Sequence, residues 1–80
     1  MSQPILKELD RAALRMDLPA YGLIAGDVGT VVFVHADGKA YEVEFMTADG
    51  HTVAVETLSA DQIEPVTGQL ILHARKHAAV

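Results

Sequence analysis

Turn-forming residues recur at regular intervals through the middle of this chain, and they leave room only for short elements between them. The turns fall at Pro19-Ala20-Tyr21-Gly22, Ala25-Gly26-Asp27, Asp37-Gly38-Lys39, Asp49-Gly50 and Glu64-Pro65. Asp-Gly pairs suit hairpins because glycine tolerates the positive φ such turns require. The runs between them are rich in Val, Thr, Phe and Tyr. Short β-rich runs at this spacing are the signature of an all-β sandwich or barrel.

Alternation assigns the strands. In Lys39 to Met46, Tyr41, Val43 and Phe45 share one face while Glu42 and Glu44 take the other, the period of a half-buried strand. Thr30 to His35 is more uniformly apolar and reads as a central strand, with Phe33, Tyr41 and Phe45 expected on the inner side. His51 to Leu58 places Val53, Val55 and Thr57 on one face and Thr52, Ala54 and Glu56 on the other. Leu58 breaks that phase and reads as a bulge or strand end. Ser59 to Ile63 reads as one helical turn, with Ser59 capping it and Ile63 plugging the interior. Glu64-Pro65-Val66 returns as a short closing edge strand, where proline is tolerated.

The ends constrain less. Ile5 to Leu14 has helical apolar spacing at Ile5, Leu6, Leu9 and Ala13. A five-stranded arrangement nevertheless needs a strand before the Gly26 turn, and Arg11 to Met16 is the only segment left to supply it. Asp17 to Ala25 then becomes a long first loop, in the position of the RT loop of SH3 domains. The expected architecture is therefore mostly β: a single domain over 1–80, with a small five-stranded SH3-like barrel over about 9–66. The 67–80 tail follows the Thr67-Gly68 break as a short helix or docked extension.

A wider likeness supports this. Leu9-Asp10-Arg11, Asp17-Leu18-Pro19, Gly26-Asp27-Val28-Gly29-Thr30-Val31-Val32 and Tyr41-Glu42-Val43-Glu44-Phe45 together resemble a family of short bacterial proteins described only as a domain of unknown function. The resemblance runs from about Leu6 to Val66. It implies an SH3-like barrel and supplies no catalytic residues to carry over. Through gene neighbourhood beside toxin-like or nuclease-like proteins, it implies an antitoxin or immunity role. Gly26 to Val32 is also similar to the KOW motif of ribosomal proteins and elongation factors, and to the SH3-like β subunit of nitrile hydratase and its accessory proteins. The shared Gly-Asp-x-Gly-x-Val core has a structural reason. Gly26-Asp27 makes a tight turn, Gly29 permits a close approach or bulge, and the valines enter the barrel. A shared turn is weak evidence of shared function.

Charge narrows the functional classes. Between Met16 and Leu72 the one basic residue, Lys39, stands against nine acidic residues, leaving −8. Such a field repels phosphate backbones and attracts basic partners. A nucleic-acid module needs a basic stripe with exposed aromatics, and the barrel body has one lysine. No cysteine is present, which excludes disulfides, thiolate metal sites and a cysteine nucleophile. That absence, together with an N-terminus lacking a long apolar stretch and no run near the ~20 residues of a membrane span, makes the cytoplasm the expected location.

Few constellations carry chemistry. No serine–histidine–acid arrangement and no phosphate-cradling loop is present. His73 and His77 lie four apart and would share one face of a helical tail, a spacing that suits a metal ion. No third ligand is placed by the sequence, so a solvated polar face is the plainer reading, and no metal or other cofactor is expected. Glu42 and Glu44 project from one strand face about 7 Å apart. With Glu56 they could serve acid–base chemistry, but that needs a pocket able to shift a pKa. An acidic docking face is the better use of them. Tyr21, on the apolar loop Leu18 to Ile24, is either an aromatic anchor or a residue folded back over one barrel mouth, with Leu23 and Ile24 closing that mouth. The expected function is a non-catalytic protein-interaction module that grips a basic toxin or nuclease-like partner through Tyr21, Glu42, Glu44 and Glu56. A KOW-like nucleic-acid or ribosome contact is the alternative. A nitrile-hydratase-accessory-like or metal-handling protein is the second alternative. The apolar tail could also cover a strand edge in a homodimer.

Overall fold

The computed structural model describes residues 5–66. Five short strands form, and all five join one antiparallel sheet. The strands are β1 (Arg11–Leu14), β2 (Val28–His35), β3 (Ala40–Met46), β4 (Thr52–Ser59) and β5 (Ile63–Pro65). Their order is β4-β3-β2-β1-β5. A 3-10 turn at Ala60–Gln62 links the last two. This order, with the long loop between β1 and β2, is that of a small SH3-like barrel. Among the described residues no helix is long and apolar enough to cross a membrane. The 67–80 tail, with His73 and His77, lies outside the described residues.

The N-terminal segment forms β1 two residues shorter than Arg11 to Met16 predicts. Its helical spacing is overridden locally and by packing. Lys7 N–H donates to the Asp10 carboxylate at 2.7 Å, and Leu9 takes a φ of 76°. Leu6 turns into the core, and its N–H donates to the Tyr41 hydroxyl at 3.1 Å. β1 then has partners on both sides, with Ala12 paired to Gly29 and to Pro65. Sheet pairing and burial outweigh the few tenths of a kcal/mol per residue at stake in propensity.

Gly29 is a close-approach position. A β-carbon there would stand 2.6 Å from Val43 Cγ1 and 2.8 Å from the Glu44 carbonyl oxygen. Its missing side chain lets β2 lie against β3 while Val31, Val43 and Phe45 fill the interior at 2% exposure or less. The 3-10 turn forms as the sequence predicts. The Ser59 N–H donates to the Gln62 side chain at 2.8 Å, and Ile63 is buried.

Two face assignments are corrected. Phe33 points outward and is 48% exposed. A register shift between Val31 and Phe33 inserts one extra residue into β2, so Val31 and then Val34 face inward, opposite Val43 and Tyr41. An inserted residue swaps the faces of everything after it. In β4 the predicted phase is reversed. Tyr41 pairs with Leu58 and Phe45 with Ala54, which puts both partners in the core. Leu58 therefore keeps phase, and Val55 and Thr57 lie outside. A second register shift between Phe45 and Met46 accommodates Val53.

Candidate functional site

The outer face of β2, β3 and β4 is assembled by register. Phe33, Glu42 and Thr57 form one cross-strand row, and Thr30, Glu44 and Val55 form another. Phe33, Val55 and Met46 are each about half exposed. They stand beside the two carboxylates rather than apart from them. The three strands contain no lysine or arginine. This face is therefore apolar and acidic at once.

Local contacts hold the carboxylates in place. His35 Nε2 lies 2.9 Å from Glu42 Oε2, and the His35 ring packs on Phe33 with centroids 4.6 Å apart at a 58° tilt. Thr52 Oγ1 donates to Glu44 Oε2 at 2.8 Å. Each glutamate is thus oriented by one neighbour while remaining on the surface. Held side chains lose less rotamer freedom when a partner binds.

Glu56 does not join them. It pairs with Val43 and so lies on the inner side of β4, half-buried at the barrel rim. The expected docking face of Glu42, Glu44 and Glu56 is corrected to a pair, because Glu56 is two residues from Leu58 and must share its face. Glu56 instead meets Tyr21. The Tyr21 hydroxyl donates to the Glu56 carboxylate, and that bond, together with the negative charge, raises the phenol pKa above its ordinary value. The two readings of Tyr21 thus converge: it folds back onto the rim and is still 40% exposed.

The loop that carries Tyr21 is built to hold it there. Leu18 and Leu23 pair across its neck, with Leu18 N–H donating to the Leu23 carbonyl at 2.9 Å. Pro19–Tyr21 makes a 3-10 turn that ends on Gly22 at φ 68°. Asp17 accepts the Ala25 N–H, and Asp27, itself buried, accepts the Ile24 N–H. Leu23 closes the mouth as predicted, whereas Ile24 stays 42% exposed.

The four predicted site residues therefore fall into two places. Glu42 and Glu44 lie on the outer sheet face, and Tyr21 and Glu56 form a latch at the rim. Phe33, His35, Met46 and Val55 complete the outer face and were not singled out from the sequence. The alternation that would reveal them is interrupted by the two register shifts. Among the described residues, no group of three or more histidine, aspartate or glutamate side chains is placed to hold a metal ion.

Comparison with known proteins places the chain in a family. A family model matches residues 8–65, which span all five strands, the rim latch and the outer face. No curated protein and no solved structure matches it. The match covers well over half of the chain, and the chain belongs to the family described as Domain of unknown function (DUF4926).

Proposed function

We propose that this domain is a non-catalytic protein-interaction module that binds a basic partner through the outer face of β2, β3 and β4. The observation that carries the reading is the intermixing on that face of exposed Phe33, Val55 and Met46 with Glu42 and Glu44, on strands without a basic residue. An aromatic anchor among apolar neighbours supplies the energetic centre of such an interface. The carboxylates steer a cationic surface toward it and set its orientation. The described residues hold four basic against eleven acidic side chains, so the long-range field has the same sign as the local one. A toxin or nuclease-like protein, whose own substrate is anionic, presents the complementary charge. Binding there would neutralise it by occlusion, which is the antitoxin or immunity role implied by the family resemblance. The cytoplasm is the compartment in which such a partner would be met.

The test is binding to a toxin or nuclease-like protein of net positive charge, measured by biolayer interferometry across a salt series. Phe33→Ala is expected to weaken the complex roughly 10- to 100-fold, mainly through faster dissociation. Glu42→Lys with Glu44→Lys should slow association and flatten its salt dependence. No complex at low salt, or a Phe33→Ala variant that binds like the parent, would remove this reading.

A further inference from the structure

β4 ends the sheet order, so one of its sides has no neighbouring strand. The direction of its backbone groups follows from the register. Ala40 pairs with Ser59, and the Ala60 N–H donates to the Lys39 carbonyl at 3.1 Å. The Lys39–Ala60 rung is thus hydrogen-bonded and the Ala40–Ser59 rung is not, because bonded and non-bonded rungs alternate in an antiparallel ladder. Leu58, Glu56 and Ala54 therefore bond to β3. Val55 and Thr57 turn their N–H and C=O groups away from it. Ser59 gives independent support, since its N–H is met from that side by the Gln62 side chain. Among the described residues, no other element supplies a backbone partner to Val55 or Thr57.

Proteins guard such edges with lysine, proline or short strands. β4 has eight residues, no lysine, no arginine and no proline, and its one charge, Glu56, is turned inward to Tyr21. We propose that the β4 edge pairs antiparallel with the β4 edge of a second copy of this chain, about a two-fold axis at Val55. In this register Val55 opposes its own counterpart, and their outward backbone groups bond to each other. Ala54 opposes the second copy's Glu56, so a small side chain leaves the rim latch undisturbed. Beyond this stretch Thr57 meets the second copy's Val53, where the β4 register shift ends the regular ladder, so the contact centres on the two outward Val55 side chains. Centring the axis on Glu56 instead would set two carboxylates directly opposite, which is disfavoured. The edge is thus self-complementary in the register centred on Val55.

Charge gives this association a signature opposite to that of a basic partner. Each copy carries a net charge of −5, so added salt screens the repulsion and strengthens pairing. Sedimentation equilibrium from about 10 μM to about 1 mM, at about 0.05 M and about 0.5 M salt, is the experiment. The mass should rise from 8.6 kDa toward twice that value, and further at the higher salt. Val55→Pro removes only an N–H that faces away from β3, so the β3 ladder survives while pairing is lost. Val55→Lys provides the same loss should the proline strain the strand. Phe33→Ala, which disables the outer face as a partner site, should leave dimerisation intact. Amide exchange locates the contact: Val55 and Thr57 should gain protection as concentration rises, while Leu58 is protected throughout. A mass fixed at the monomer value, dimers that survive both Val55 variants, or protection gained elsewhere would overturn the proposal. Protection of Val55 and Thr57 in dilute protein only when a basic partner is added would assign the edge to that partner instead.

Discussion

Replacing Gly29 with alanine asks whether the spacing of β2 and β3 depends on a missing β-carbon. The added atom would lie 2.6 Å from Val43 Cγ1, 2.8 Å from the Glu44 carbonyl oxygen and 2.9 Å from Phe45 Cδ1. Comfortable carbon contacts lie near ~3.5–4.0 Å. Val43 and Phe45 are at most 2% exposed and have no room to step aside, and the carbonyl belongs to the backbone of the paired strand. The substitution must therefore push β2 and β3 apart. Overpacking of this kind costs roughly 1–3 kcal/mol, with the upper end appropriate where backbone is involved. Alanine also restricts the unfolded chain, which offsets about 0.4–1 kcal/mol. The net loss is about 2 kcal/mol, from a total of roughly 3–9 kcal/mol for a domain of this size.

Urea denaturation followed by far-ultraviolet circular dichroism measures it. With an m-value of about 1 kcal/mol/M, the midpoint should fall by about 2 M. Gly50→Ala is the control. It places a β-carbon in open space at φ 92°, so it carries backbone strain and no clash. That variant should lose only about 1 kcal/mol. Adding Val43→Ala to Gly29→Ala removes one of the three close contacts and leaves the carbonyl, so it should not restore the parent midpoint. A Gly29→Ala protein within about 0.5 kcal/mol of the parent, or a Gly50→Ala protein that suffers more, would refute the close-approach argument.

Other perturbations test the face assignments and the buried polar contacts. Leu58→Ala should cost about 2–5 kcal/mol, whereas Val55→Ala should stay near ~0.5 kcal/mol in dilute protein; equal losses in thermal melts would mean the β4 faces are wrongly assigned. Tyr41→Phe strands the Leu6 N–H without its acceptor, so it should cost about 1–2 kcal/mol and speed exchange of the Leu6 amide. Ultraviolet titration of the tyrosines, with Tyr21→Phe to assign the signal, should show Glu56→Gln moving the Tyr21 transition down toward its ordinary value. Because the folded-state pKa of Tyr21 is raised, the latch is fully present below the unfolded value and is lost as pH rises through the folded one. A Tyr21 transition insensitive to Glu56→Gln would mean the two side chains do not meet.

The strand count could be read from Gly26, Asp37-Gly38 and Asp49-Gly50, because turn chemistry is local and needs no knowledge of the partner strand. β3 was equally readable: Tyr41, Val43 and Phe45 alternate with Glu42 and Glu44 without interruption. β1 followed from a non-local requirement, since only a strand at Ala12 could occupy the gap between Gly29 and Pro65. The outer face was harder. Which side of a strand faces water depends on every inserted residue along it, and the insertions at Val32 in β2 and Val53 in β4 have no local marker such as glycine. Phe33 and Val55 therefore read as core from their chemistry alone.

The acidic character of the chain divides in the same way. Charge along the sequence correctly indicates the sign of the field, because a field sums over residues whatever side they occupy. A docking site does not sum in this manner; it depends on which carboxylates share a surface. Glu42 and Glu44 lie two apart on β3 and so share a face in any register. Glu56 reaches that face only if Leu58 leaves the core, and Leu58 paired with Tyr41 is 2% exposed. The cost of exposing Leu58, about 1.5–3 kcal/mol, exceeds the ~0–1 kcal/mol that a surface carboxylate contributes to any one contact. Burial of one leucine thus decides the placement of the glutamate two residues earlier. It leaves Glu56 to anchor Tyr21 and so to hold the first loop against the rim.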